Sequence, residues 1–329
     1  MNLSGVLTPI PTPFDDRDFV DLGRLRAALT GWLATPLTGF VILGSNGEAA
    51  FLDEDESDLV VAAARDVVPA TRTFIVGTGR ESTVATIRAT ARAAALGAEA
   101  VLVRTPGFYK AQMTAEVFVR HYTAVADSSP IPVLLYNFTG VTGVSLPVEA
   151  VARLATHPNI IGMKESGGDV QRIADLISAT PDDFALLAGS PSTLYAALGL
   201  GAVGGILALG AVVPDACRRL FDLTKAGRHD EARALQHDLA PLARLLSTTA
   251  VPGLKAALAL IGCDVGIPRP PLVPLDHATV AQMAEALSRF GEKGRPDSLR
   301  HGYGGPPKRA KAEGLRDFNP QEIHGVVAS

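Results

Sequence analysis

Lys164 ends the apolar run Ile160-Ile161-Gly162-Met163, and an amine at the end of a hydrophobic strand needs a chemical reason. Of the chain's seven lysines it alone stands at the C-terminal lip of such a run; the others fall in polar turns, helical patterns or the tail. Apolar surroundings make an ammonium charge costly, so a lysine held there tends to the neutral, nucleophilic amine, which forms imines with ketones. The competing reading has Lys164 snorkel to solvent and pair with Glu165. A second candidate is Tyr136, whose phenol closes the run Val133-Leu134-Leu135. It is either a proton carrier or an ordinary core aromatic with its hydroxyl satisfied.

Strand ends matter because a parallel α/β barrel presents all of them at one rim. They include Gly44-Ser45-Asn46-Gly47-Glu48, Gly77-Thr78-Gly79, Thr105-Pro106, Tyr136-Asn137, Lys164-Glu165-Ser166 and Gly189-Ser190. One amine, one phenol, small hydroxyls and glycine turns with free backbone N–H groups suit a small carboxylate bound beside an electrophilic carbonyl. The Gly44–Gly47 turn is equally explained as a tight strand-to-helix connection. Glu48 reads as a carboxylate that braces its loop. Gly77-Thr78-Gly79 lacks the third glycine of a dinucleotide fingerprint. The seven histidines show no metal-ligand spacing, and neither a Gly-x-Ser-x-Gly elbow nor a phosphate loop is found, so no metal is expected.

Eight short apolar runs must position these residues: Gly5–Ile10, Gly39–Leu43, Thr73–Val76, Ala100–Arg104, Ile131–Tyr136, Ile160–Lys164, Ala185–Ala188 and Val203–Leu207. They alternate with segments of helical spacing, the pattern of a parallel sheet with crossover helices. Eight such runs predict a (β/α)8 TIM barrel, although an open doubly wound sheet has the same period. Asp53 with Glu56 three residues on predicts a capping box, Thr114 opens a helix from Ala115, and Gly97 stops an alanine-rich one. After the eighth run, four successive helical patterns (214–226, 230–246, 251–260 and 278–290) predict a small C-terminal helical region. The expected division is a catalytic barrel over 1–213, the last barrel helix plus that region over 214–290, and a tail over 291–329. The tail is rich in Gly, Pro and charge and is expected to be disordered or loosely docked.

Composition bounds the rest. Hydrophobic residues are 47% and charged residues 19% of the chain, enough apolar material for a large core. A net charge of −4 gives no basic field, so nucleic acid is not an expected partner. Cys217 and Cys263 offer neither a disulfide framework nor a metal pair, which suits a reducing compartment. The N-terminal residues lack the features of a signal peptide, and no window has the length and apolarity of a membrane span. The expected location is the cytoplasm, with no membrane partner.

Together, Gly44-x-x-Gly47-Glu48, Tyr136-Asn137 and Gly162-Met163-Lys164-Glu165-Ser166 resemble the signatures of the dihydrodipicolinate synthase/N-acetylneuraminate lyase family, the pyruvate-type class I aldolases. The resemblance covers about Gly5 to Leu275. It implies a barrel, a covalent imine on Lys164 with no other cofactor, and Tyr136 as proton relay. It also implies a keto-acid carboxylate held by Ser45 and Asn46, with the Ile206 backbone lining the pocket. A small 2-keto acid would be the partner, and the protein a homo-oligomer, dimer or tetramer.

Within the family, His157-Pro158-Asn159-Ile160-Ile161-Gly162-Met163-Lys164, Ser166-Gly167-Gly168-Asp169-Val170 and Leu187-Ala188-Gly189-Ser190 are most similar to the 4-hydroxy-2-oxoglutarate aldolases, and Ser166 would then touch substrate. The lysine-biosynthetic synthases carry an arginine five residues after the tyrosine, where this chain has Val141, which cannot pair with a carboxylate. Sialic acid lyases carry acidic residues where Pro191 and Ser192 stand here. A 2-keto-3-deoxy sugar acid aldolase or dehydratase is the nearest alternative, then 4-hydroxy-tetrahydrodipicolinate synthase, and outside enzymes a keto-acid-binding sensor. The tyrosine that many members lend across a subunit contact is matched by Phe108, which leaves neighbouring Tyr109, or water, as the possible proton relay.

Overall fold

A computed structural model describes residues 1–290, and the expected tail over 291–329 lies outside the described residues. Eight strands run in chain order: β1 (Gly5–Pro9), β2 (Gly39–Ile42), β3 (Thr73–Gly77), β4 (Ala100–Arg104), β5 (Val133–Asn137), β6 (Ile160–Glu165), β7 (Ala185–Ala188) and β8 (Gly204–Ile206). Each pairs in parallel with its sequence neighbours, and β1 also pairs with β8, so the sheet closes. Closure removes the doubly wound alternative: this is a (β/α)8 barrel.

The alternation that makes these segments strands also sorts their side chains. Leu7, Val41, Ile75, Leu102, Leu134, Tyr136, Leu187 and Ile206 form one buried cluster inside the barrel. Val6, Phe40, Val76, Val103, Leu135 and Met163 belong to a second, between barrel and helices. Both faces being apolar, the strands read as continuous hydrophobic runs rather than alternating ones.

The helices before β8 are α1 (Leu22–Leu33), α2 (Glu54–Val67), α3 (Thr83–Ala95), α4 (Ala115–Ser128), α5 (Thr139–Thr142), α6 (Val148–Leu154), α7 (Val170–Ala179) and α8 (Leu194–Leu200). The predicted capping box on α2 forms: Glu56 N–H donates to Asp53 at 2.8 Å, and Asp53 N–H to Glu56 at 3.2 Å. Thr114 caps α4 as expected, and Gly97 follows α3 with φ +89°.

After β8 come α9 (Leu209–Val212), α10 (Pro214–Lys225), α11 (His229–Leu260) and α12 (His277–Ser288). Ala250 breaks α11 with φ 48° and ψ −130°, immediately before Val251-Pro252, so two expected helices meet there at a sharp corner. The C-terminal helices are not a detached appendage: α11 packs on α8, α9 and α10, and reaches the 3-10 turn Ser45–Gly47 at the barrel rim.

Lys255 of α11 makes that contact. It is 2% exposed, so Lys164 is not the chain's only buried lysine. Its ammonium donates to the carbonyls of Thr12 (2.8 Å) and Ile267 (2.9 Å), and stands 2.7 Å from Glu48 Oε1. Burial pulls the Lys255 amine below its ordinary value and Glu48 only partly restores it, as expected for an ion pair removed from water. Arg269 N–H donates to the other Glu48 oxygen at 2.8 Å. Glu48 has φ 54°, a costly backbone conformation for a side chain of this kind, and its carboxylate is held by the Lys255 ammonium and the Arg269 backbone N–H.

Making a buried pair gains little, but breaking one strands a charge. Lys255→Met is expected to lower unfolding free energy by about 3–5 kcal/mol, measured by denaturant titration. Glu48→Gln combined with Lys255→Met is expected to recover much of that loss.

Candidate active site

The three residues with the plainest chemistry lie in one hydrogen-bonded row. Strand register sets Arg104 of β4 opposite Tyr136 of β5, and Tyr136 opposite Lys164 of β6. Met163 faces the outer cluster, so Lys164 faces the lumen by alternation. It is 5% exposed, and its Nζ stands 4.4 Å from the centre of the Tyr136 ring, against the face of the aromatic.

Glu165 is not the partner of Lys164. Facing outward, its carboxylate accepts from Asn137 Nδ2 (2.9 and 3.1 Å), Gly167 N–H (2.7 Å) and Arg172 Nε (2.8 Å). Asn137 Oδ1 in turn accepts from Leu146 N–H at 2.8 Å. The snorkelling pair that the sequence allowed is therefore absent. Among the described residues Lys164 makes no ion pair, whereas Lys255 has all its donors engaged. This difference in partners, not burial, separates the two lysines.

Tyr136 Oη and Ser45 Oγ share a hydrogen bond of 3.2 Å, which fixes the phenol at the mouth of the Ser45–Gly47 turn. Asn46 sits in the same turn, half-buried. Ser166 N–H donates to Asn137 O at 3.0 Å, while Ser166 Oγ is buried with no partner among the described residues. The space it occupies exists because residue 189 is glycine: a Cβ there would stand 1.9 Å from Ser166 Oγ. Ile206 ends β8 inside the barrel, fully buried beside Leu7 and Leu187. Lys164, Tyr136 and Ser45 are thus joined by direct contacts, and Ser166 follows two residues after Lys164.

Beside Tyr136 a cleft of ≈ 420 Å³ opens at the rim, lined by Ser45, Gly79, Arg80, Arg104, Tyr136 and Val141 among others. Lys164 is not among its lining residues; it stands against the ring of Tyr136, which is. Val141, where an arginine would mark the synthases, is 61% exposed and apolar. Tyr109 behaves differently from the rest. It is 69% exposed, packs edge-on against Phe108 at 5.1 Å, and does not line the cleft.

Arg104 and Glu81 escaped the sequence reading. Arg104 was taken only as the end of a strand, yet it lies two residues after inward-facing Leu102, which was the available signal. Glu81 Oε2 accepts from the N–H groups of Gly107 and Phe108, both at 2.9 Å, and its Oε1 accepts from Arg104 Nη1 at 2.7 Å. Glu81 therefore ties the Phe108-Tyr109 segment to the cleft.

Burial would raise the Glu81 carboxyl, but the hydrogen bonds from Phe108, Arg104 and Gly107 outweigh it and hold the group below its ordinary value of 4.5. A depressed carboxyl contributes its stability in full above the ordinary value and loses it as pH falls through the lowered one. Amide exchange at Gly107 and Phe108 should thus stay protected above pH 4.5 and lose protection only below it. In Glu81→Ala the same amides should exchange freely throughout.

Comparison with known proteins places this arrangement. The dihydrodipicolinate synthetase family matches residues 2–290. A 4-hydroxy-tetrahydrodipicolinate synthase of Exiguobacterium sp. is 36% identical over 290 residues, 88% of this chain and 98% of that protein. The synthase of Methylacidiphilum fumariolicum SolV superposes with a TM-score of 0.83 at 33% identity, covering 89% and 97% of the two chains. The chloride-inhibited dihydrodipicolinate synthase of Acinetobacter baumannii, solved in complex with pyruvate, superposes at 0.84 with 31% identity, covering 88% and 99%. These relatives bear the synthase name, which the sequence motifs ranked behind 4-hydroxy-2-oxoglutarate aldolase. The chain belongs to the dihydrodipicolinate synthetase family, whose members are pyruvate-dependent class I aldolases and lyases that work through a lysine imine without an external cofactor.

Proposed function

We propose that this enzyme cleaves 4-hydroxy-2-oxoglutarate to pyruvate and glyoxylate, with Lys164 as the imine-forming residue and Tyr136 as its proton relay. The observation that carries the reading is the unpaired, buried Lys164 amine against the face of a tyrosine that is itself hydrogen-bonded to Ser45. Uncharged Lys164 Nζ adds to the C2 ketone, and Tyr136 gives its phenol proton to the C2 oxygen, which leaves as water; a protonated imine and a phenolate remain. The C3–C4 bond then breaks, its electron pair passing into the iminium to form an enamine, while Tyr136 takes the C4 hydroxyl proton and glyoxylate departs. Tyr136 returns that proton to C3 of the enamine, and water adds to the imine carbon, its surplus proton going back to the Tyr136 phenolate as pyruvate leaves and the amine is restored. Ser45, Asn46 and the N–H groups of their turn would hold the C1 carboxylate, with the Ile206 backbone along the same pocket. The unpartnered Ser166 Oγ supports a further contact to substrate.

A second reading, 4-hydroxy-tetrahydrodipicolinate synthase, is favoured by the names of the relatives. Val141 opposes it at the one position where the motif expects a cation. The exposed Phe108-Tyr109 pair, whose segment Glu81 tethers to the cleft, supports assembly with a second copy of the chain. Tyr109 would reach a substrate only in such an assembly.

The test is a substrate panel. Wild-type enzyme should release pyruvate from 4-hydroxy-2-oxoglutarate faster than from 2-keto-3-deoxy sugar acids. Efficient condensation of pyruvate with aspartate semialdehyde, in preference to that cleavage, would instead establish the synthase. Lys164→Arg keeps the positive charge but cannot form the imine, and is expected to abolish turnover. Tyr136→Phe should lower kcat by about 10²–10⁴-fold while leaving pyruvate binding intact.

A further inference from the structure

The substrate proposed above is a dicarboxylate, and its second carboxylate needs a cation that Val141 does not supply. Two guanidinium groups line the cleft, and their donors differ. Arg80 is spent: Nε and Nη2 donate to the Glu54 carboxylate at 3.0 and 3.2 Å, and Nη1 to the Gly79 carbonyl at 3.4 Å. Arg104 commits only Nη1, to Glu81 at 2.7 Å and to the Thr105 carbonyl at 3.1 Å. Its Nε and Nη2 make no hydrogen bond among the described residues.

Position agrees with donor count. Arg104 stands next to Tyr136 in the row that Lys164 completes, with adjacent strands about 4.8 Å apart. Gly79 leaves the room it needs, since a Cβ there would stand 2.7 Å from Arg104 Cγ. The order of the row is amine, phenol, guanidinium. A five-carbon 4-hydroxy-2-keto diacid presents ketone, hydroxyl and distal carboxylate in that same order.

We propose that Arg104 is the receptor for a carboxylate at the end of the substrate remote from the ketone, bound through Nε and Nη2 while Nη1 stays anchored by Glu81. Such a paired contact is the strong, directional form of carboxylate recognition. It makes the enzyme selective for 2-keto diacids over 2-keto monoacids of equal length. The inference rests on the keto-acid reading of the site, though not on which aldol reaction follows.

The experiment compares binding of 2-oxoglutarate with 2-oxopentanoate to the full chain by calorimetry, at constant ionic strength. Wild type is expected to favour the diacid at least about 10-fold. Arg104→Met should abolish that preference by weakening the diacid alone, about 10–100-fold, with pyruvate binding unchanged. Arg104→Gln provides the same test should the methionine variant lose pyruvate binding and therefore its fold. Equal binding of the two ligands by wild type, or a preference that survives in the folded variant, overturns the assignment. An Arg104-dependent preference without cleavage of 4-hydroxy-2-oxoglutarate sinks the aldolase reading and leaves this one standing. Cleavage without any such preference does the reverse.

Discussion

Closure of an eight-stranded parallel barrel fixes which residues share a level, and the chemistry of this protein follows from that constraint. Once β4, β5 and β6 are in register, Arg104, Tyr136 and Lys164 must stand side by side on the inner face. The residue after the tyrosine and the residue after the lysine must point the other way. Asn137 and Glu165 do so, and with Arg172 they form an ionic brace behind the sheet. One register thus yields a reactive face and a supporting face. A carboxylate that would otherwise neutralise Lys164 is directed away from it by the period of the strand alone.

The two buried lysines show how little burial says by itself. Lys255 sits in a cage of carbonyls and a carboxylate, and its task is to pin α11 to the loop that carries Ser45. Lys164 lies against the Tyr136 ring. The Lys255 charge is thus met by fixed partners, whereas Lys164 makes no ion pair among the described residues. The described C-terminal helices therefore brace the candidate site, although they contribute no residue to the row.

Much of this was legible in the chain. The barrel showed itself because strands buried on both faces read as unbroken apolar runs, and the capping box at Asp53 because its partners are three residues apart. Lys164 and Tyr136 stood out because each polar group ends such a run. The Glu48–Lys255 contact was not legible, since Lys255 lies within a helical pattern and its partner is remote in sequence; only the apolar residues around it on every side of the helix hinted at burial. Arg104 was hidden for another reason. A charged residue ending a strand is usually where the chain meets solvent, and its inward direction depends on counting from Leu102. The exposure of Phe108, Tyr109 and Val141 carries no local signal, because apolar residues of these types are as readily buried as exposed.

The central claim is that a lysine without a charge partner, against a tyrosine ring, is the one that reacts. It is tested most directly by incubating the enzyme with pyruvate, reducing with borohydride and locating the adduct by peptide mass spectrometry. The account predicts a single modified residue, Lys164, with Lys255 unmodified. An adduct on Lys255, or none on any lysine, would contradict it.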